Sequence, residues 1–405
     1  MFPSIGNNLY KEFKNPINKI NFYIFEIYLV KDISIIKYIL NNSPCLFKVG
    51  ILKYKFFKSF MDKNLGISNY PEWSWRRKFN ENIINQHLKN NVIVYKLNLN
   101  KYKIPEYIQM NFDDFMFDAK IIVKQIVFNN TEINDDVFDV FEQANSLWSI
   151  FDNDYKVDRT NFLKYLPFAK PGSMVHDAIY LNKLECNELI DQIPHWIFPI
   201  VGTISQSAPR LLLLLYHHPH ILNGVKNGSI KLRFCILELL RLNCPVITMF
   251  RELAKDIKIE NINYSKGTQF VFLNNPIMRD INYFKDSNKF IPKRWENINE
   301  NDFIVLMFSQ GPQKCPGREI AINLLEKYIG EIIKYSYKAV PSIDVNNIPQ
   351  MINPFKIILT VKKINIYKFI AVIIIFVVII IKFFLVYNEQ YLNHTILYNL
   401  FFGSI

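Results

Sequence analysis

Read by the spacing of its apolar positions, the chain runs from a mixed front through a long helical middle to a band of short strands, then a closing helix and strand. Residues 22–30, FYIFEIYLV, are rich in β-branched and aromatic side chains and predict a strand. DISIIKYILNNSP follows, with Asp32 where a helix N-cap is wanted and apolar residues returning at helical intervals. Helical spacing dominates from about residue 73 to 166, interrupted at Pro105, and Pro171-Gly172 marks a turn. The longest internal helix candidate covers 185–222 and includes LLLLLY, with Pro199 and Pro209 expected to kink or end it. A second helix over 229–243 stops before Pro245. Residues 246–290 read as short strands and turns, with Lys266-Gly267-Thr268 as a hairpin signal. After the irregular FIPKRWEN comes FSQGPQKCPG, then a helix from Arg318 to about Tyr335 and a weak strand in FKIILTVKK. The sum predicts a mainly α fold with a smaller β portion and no fixed-period repeat.

One stretch breaks this amphipathic pattern. Phe369 to Ile381 is unbroken apolar sequence, and after Lys382 the run continues through FFLVY to Tyr387. As a helix it would span roughly 28 Å, close to the hydrocarbon thickness of a bilayer; a buried core helix or strand is the other reading. Lys362, Lys363 and Lys368 precede the run, while only Lys382 and Glu389 lie near its far end. The positive-inside bias then places the main domain in the cytosol, with a single-pass C-terminal tail anchor. The expected organisation is a main domain over 1–362, a transmembrane anchor over 363–387 and a short tail over 388–405. The first residues, MFPSIGNNLYKEFKNP, hold no apolar core of signal-peptide length.

Charge narrows the partners. The chain of 405 residues carries a net charge of +12, but its Lys and Arg are scattered between apolar runs, and only Arg76-Arg77-Lys78 stand together. That dispersion argues against a nucleic-acid interface and suits a basic surface facing anionic lipid or an acidic protein. The five cysteines, Cys45, Cys186, Cys235, Cys244 and Cys315, are too irregular for a disulfide framework and form no zinc-type pair. A reducing compartment follows as the simpler expectation.

The segment Phe308-Ser-Gln-Gly311-Pro-Gln-Lys-Cys315-Pro-Gly317 concentrates the chemistry. A cysteine in a Gly/Pro-punctuated loop just before a helix meets backbone N–H groups that favour its thiolate, and glycines let the backbone approach a flat ligand. The stretch resembles the cytochrome P450 cysteine loop, Phe-x-x-Gly-x-(Arg/His)-x-Cys-x-Gly, with Gln313 where the family has a cation for a haem propionate. Glu238-Leu-Leu-Arg241 resembles the family's Glu-x-x-Arg helix motif, and Arg294 in Phe290-Ile-Pro-Lys-Arg-Trp resembles its structural third partner. Trp73-Ser-Trp-Arg-Arg77 resembles the helix whose Trp and Arg reach a propionate, and Arg251 resembles the strand arginine on the other propionate. Counting back from His218-Pro219, Thr203 falls on the threonine of the family's oxygen-activating helix, with Gly202 in place of the usual acid. Thr203 bonding only its own i−4 carbonyl is the alternative.

The resemblance covers roughly residues 20–362 and implies a cytochrome P450-like fold carrying haem b, with Cys315 as the axial thiolate on iron. It also implies a monooxygenase fed by an electron-donating reductase or ferredoxin-type protein and acting on a lipophilic small molecule at a membrane. Arg76, Arg77 and Lys78 are the expected docking face for an acidic electron donor. Gly202 opens a second reading, a peroxide-using or peroxide-rearranging enzyme. Gly202, Gln313 and Pro209 together open a third, a membrane-tethered haem binder without turnover. In the family the substrate is set by residues between about 45 and 200, which leave it unspecified here.

Overall fold

The computed structural model describes residues 15–22, 25–89, 107–140, 161–181, 186–299, 301, 305–362 and 377. The expected anchor over 363–387 lies outside the described residues, Val377 excepted.

The front of the chain makes a hairpin, β1 (Ile17–Phe22) with β2 (Phe25–Val30), rather than one strand over 22–30. Helix α1 (Ile33–Asn41) begins at Asp32, whose carboxylate accepts hydrogen bonds from the Ser34 and Ile35 backbone N–H groups. Then come β3 (Phe47–Val49), α2 (Ile51–Lys58) and α3 (Glu72–Lys89). A strand that helical spacing does not announce, β4 (Tyr107–Met110), precedes α4 (Phe112–Phe128). Asn111 and Asp114 close a capping box at the start of α4.

Helix α5 (Cys186–His217) is continuous through Pro194, Pro199 and Pro209. Of the two outcomes expected at Pro199 and Pro209, a kink or an end, the helix does not end there, because burial holds it: Ile193, Trp196, Ile197 and Leu211–Leu215 all lie in the core. Packing against α4 on one side and later helices on the other offsets the three lost backbone bonds. Among the described residues it is the one helix apolar and long enough to cross a membrane, yet 67% of its most apolar window is buried within the fold.

Helices α6 (Pro219–Lys226) and α7 (Leu232–Leu242) lead to β5 (Thr248–Leu253), β6 (Ile257–Ile259), β7 (Ile262–Tyr264) and β8 (Gln269–Leu273). The hairpin turn sits at Glu260-Asn261, both with positive φ, between β6 and β7. Lys266-Gly267-Thr268 instead links β7 to β8, where the Gly267 N–H donates to the Leu253 carbonyl. Helix α8 (Arg318–Ile332), β9 (Ser336–Val340) and β10 (Ile358–Lys362) follow. One sheet has the order β1-β2-β8-β5-β3, with only β2 and β8 parallel, and the second is antiparallel in the order β4-β10-β9. Helices α4, α5, α7 and α8 pack on one another, with α5 also against β9 and β10 and α4 against β4.

Candidate functional site

Cys315 lies in the loop between a short helix, Val305–Phe308, and α8. Its backbone N–H donates to the Phe308 carbonyl at 2.7 Å, which folds the loop back on itself. Gly311 has φ +69 and packs so closely on the end of α1 that a Cβ would lie 2.6 Å from the Leu40 carbonyl oxygen. Only glycine meets both conditions. Gly317, at the N-cap of α8, would carry a Cβ 4.0 Å from the Cys315 sulfur.

The electrostatics of the thiol pull in two directions. Burial pushes its pKa up; a hydrogen bond from the Gly317 N–H, then Arg77, Lys53 and Arg318, pull it back. Cys315 nevertheless retains exposed surface. Arg77, on α3, donates from Nη1 to the Lys314 carbonyl and from Nε and Nη2 to Glu81, which ties α3 to the cysteine loop. Trp73, one turn earlier on α3, is buried with its ring edge-on to Tyr70 at 5.2 Å.

Arg251 projects from β5, the strand between β8 and β3, is buried, and donates to Ser43 Oγ at 3.2 Å and to the Phe250 carbonyl at 2.8 Å. It has no carboxylate partner among the described residues, and burial lowers its pKa to about 10. Sequence reasoning missed two neighbours. Lys53, on α2, is held at about 8, first by burial and then by the Arg251 charge, with Cys315 opposing. His195, on α5, is lowered to about 4 by burial and by Lys53. Both approach Gly66, with Lys53 Nζ 3.8 Å and His195 Cε1 3.6 Å from where its Cβ would be. Neither residue belongs to a motif, so the only available signal was helical arithmetic placing His195 two turns before Thr203.

On α5, His195, the continuous stretch Phe198 to Thr203, and Gln206 are incompletely buried, so the helix is open on more than one face around Gly202. Nothing lies within 4 Å of a Cβ built on Gly202. His195, on this segment of α5, interacts electrostatically with Lys53, and Lys53 with Cys315, which brings α5, α2 and the cysteine loop within electrostatic reach of one another. Thr203 makes no bond to its i−4 carbonyl; Ser205 does, donating to the Val201 carbonyl at 2.8 Å.

Beneath the loop, Glu238, Arg241 and Arg294 meet. Arg241 donates to both Glu238 carboxylate oxygens at 2.9 Å, and Arg294 Nε donates to one of them at 3.0 Å. Trp295 Nε1 and the Ile291 N–H add donors at 3.0 Å. Arg241 and Glu238 are wholly inaccessible. The structure corrects the expected docking face. Arg76 and Arg77 are buried, Arg76 pairing with Glu188 at 3.2 Å, and only Lys78 of the three is exposed.

The residues fit a haem. Cys315 offers one sulfur donor with exposed surface, Gly311 and Gly317 give the backbone close approach, and Arg251 and Lys53 bring positive charge that no carboxylate of the described residues answers. The two propionates of a haem would answer it.

A family model described as cytochrome P450 matches residues 232–367. The chain is 32% identical over 117 residues to cytochrome P450 11B, mitochondrial, of Aquarana catesbeiana, a match covering 29% of this chain and 23% of that protein. It is 25% identical over 194 residues to the mitochondrial sterol 26-hydroxylase of Homo sapiens, covering 41% of this chain and 36% of that protein. The chain thus matches only about a quarter to a third of the length of these relatives. Among solved structures it resembles retinoic acid bound cyanobacterial CYP120A1, with a TM-score of 0.71 at 16% identity over 88% of this chain and 94% of that one.

Proposed function

We propose, from the premise that this chain belongs to the cytochrome P450 family, that it is a haem-thiolate monooxygenase. It inserts one oxygen atom into a lipophilic small molecule using electrons from a reductase or ferredoxin-type partner. The observation that carries the reading is Cys315, an accessible thiol enclosed by protein and surrounded by Arg77, Lys53 and Arg318.

Haem b, when bound, supplies an iron that activates oxygen, and an axial thiolate favours O–O cleavage. The chain's residues supply the rest. The Gly317 N–H and the three cations favour the thiolate form of Cys315 against the cost of burial. Arg251, Lys53 and Arg77 would hold the propionates, with Lys53 offsetting the neutral Gln313. Thr203 offers a hydroxyl on the open stretch of α5 that can hold and pass a proton, and with Gly202 beside it the proton reaches Thr203 through water or a more distant group. The apolar run 369–387 is read as the tail anchor, holding the haem domain on the cytosolic side of a membrane that concentrates lipophilic substrates.

The test is a carbon monoxide difference spectrum of the reduced protein beside Cys315→Ala. A haem-thiolate Soret band that the substitution abolishes is expected. A band that survives it, or no haem in the wild type, overturns the reading.

One observation favours a second reading. Position 202 has no side chain and no neighbour to replace the missing acid, which suits an enzyme that receives its oxygen already protonated, as peroxide. Product formed with hydrogen peroxide alone, and none with a reductase, would select it.

A further inference from the structure

Seven residues beyond Thr203 on α5, the core holds an uncompensated guanidinium. Arg210 is 2% exposed; its Nε donates to the Ile352 carbonyl at 2.8 Å, and its buried Nη1 has no hydrogen-bond partner. Burial lowers its pKa to about 10, which leaves it charged at neutral pH. Among the described residues the group that acts on it electrostatically is Cys244, whose thiol burial pushes up to about 11, so it is neutral and supplies no counter-charge.

Ile352 carries a second clamp. Its N–H donates to Asn243 Oδ1 at 2.7 Å, and the Nδ2 of Asn243, a residue 1% exposed, is also buried without a partner. Two side chains pinned to one residue thus each leave a nitrogen donor unused, and one of them is a cation. Elsewhere in this core the same chemistry is completed. Arg279 donates to the carbonyls of Leu242, Ile348 and Pro349 and to Asn288 Oδ1, and Arg241 is neutralised by Glu238. The nearby Asn274 has an unpartnered Oδ1 but no negative charge to offer.

We propose that Arg210 and Asn243 form a buried site for a small monovalent anion of the halide class, which would be chloride in a cell. Two N–H donors beside an unanswered cation call for an acceptor with negative charge. Water would accept the hydrogen bonds and leave the buried charge uncompensated, which is the costlier defect. The anion would pin the segment around Ile352 to α5 and to the C-terminal end of α7.

The test is thermal unfolding of the full-length, haem-loaded protein in detergent micelles, with chloride exchanged for the larger gluconate at constant ionic strength. The wild-type midpoint should rise by about 2–4 °C between about 1 and 100 mM chloride, with bromide acting likewise. Asn243→Asp keeps the acceptor for Ile352 and places a carboxylate beside Arg210, so it should raise the midpoint at low chloride and remove the chloride response. A wild type indifferent to chloride against gluconate overturns the proposal in favour of water, and a full chloride response in Asn243→Asp places the anion elsewhere. Should that variant fail to fold, bromide anomalous scattering from wild-type crystals decides it. A peak between Arg210 and Asn243 supports the site, and none there overturns it.

Discussion

Glu238 offers the sharpest test of what supports the cysteine loop. Its carboxylate accepts from Arg241 Nε and Nη2 at 2.9 Å, and from Arg294 Nε, Trp295 Nε1 and the Ile291 N–H at 3.0 Å, all in a wholly inaccessible position. Glu238→Ala would leave Arg241 charged and buried, though still bonded to the Met278, Ser287 and Lys289 carbonyls. Breaking a buried ion pair costs about 3–5 kcal/mol, and stranding the Trp295 and Ile291 donors adds about 1–3 kcal/mol each. These losses overlap, so the estimate is about 4–7 kcal/mol, set against a whole-domain stability of about 5–15 kcal/mol. Glu238→Gln keeps the shape and one acceptor and should cost about 2–4 kcal/mol, while Arg294→Gln, at the rim, should cost about 1–2 kcal/mol. The assay is guanidinium unfolding followed by tryptophan fluorescence and by loss of the Soret band. Because Glu238 makes no bond to Cys315, whatever protein folds should keep an unshifted thiolate band. A Glu238→Ala variant within about 1 kcal/mol of wild type would refute the reasoning, since the network would then be worth no more than a surface pair.

Three further outcomes follow from the same structure. Gly311→Ala drives a Cβ against the Leu40 carbonyl and forces a residue at φ +69 into a conformation alanine avoids, so haem occupancy after purification should fall severalfold; normal occupancy would show that the loop does not need this approach. His195, lowered to about 4 against an ordinary value near 6.5, is neutral when folded and takes a proton when unfolded between those values. Its contribution is therefore fully present above about pH 6.5 and is lost as pH falls towards 4, by up to about 3 kcal/mol; His195→Asn should flatten that slope in denaturant titrations at stepped pH. Deleting residues 363–405 should release the protein from membranes to the soluble fraction with its Soret band intact, and a deletion that stays membrane-bound through alkaline carbonate washing would reject the tail anchor.

What was legible in the sequence had local chemistry behind it. Asp32 caps α1 because its side chain reaches two N–H groups a few residues on, a rule that needs no tertiary contact. Glu238 and Arg241 share a helical face by spacing alone, whereas Arg294 joined them only through the family resemblance, since no local rule links residues so far apart. Tertiary packing hid the rest. Pro199 and Pro209 left open whether α5 kinks or ends, and burial along the helix accounts for its continuity. Arg76 and Arg77 read as a surface patch because nothing nearby announces Glu188, more than a hundred residues away, or the Lys314 carbonyl. Strand β4 has four residues, too few for its alternation to stand out.

The departure at Gln313 shows how charge, rather than motif, defines such a site. A propionate needs a cation within reach and is indifferent to the chain segment that supplies it. Where the cysteine loop offers a neutral amide, α2 brings Lys53 close enough to Cys315 and Arg251 for each to shift its titration. Lys53 is therefore destabilised in the bare protein, by burial and by a like charge, and a dianionic ligand would relieve both penalties at once. The missing acid at Gly202 has no such replacement among the described residues: the nearest titratable group on the same face of α5 is His195, neutral at physiological pH. On the proposed haem reading the binding half of the site is compensated and the proton-delivery half is not, so substitution of Lys53 should weaken haem retention, while Gly202→Asp should alter the yield of product per electron without changing haem content.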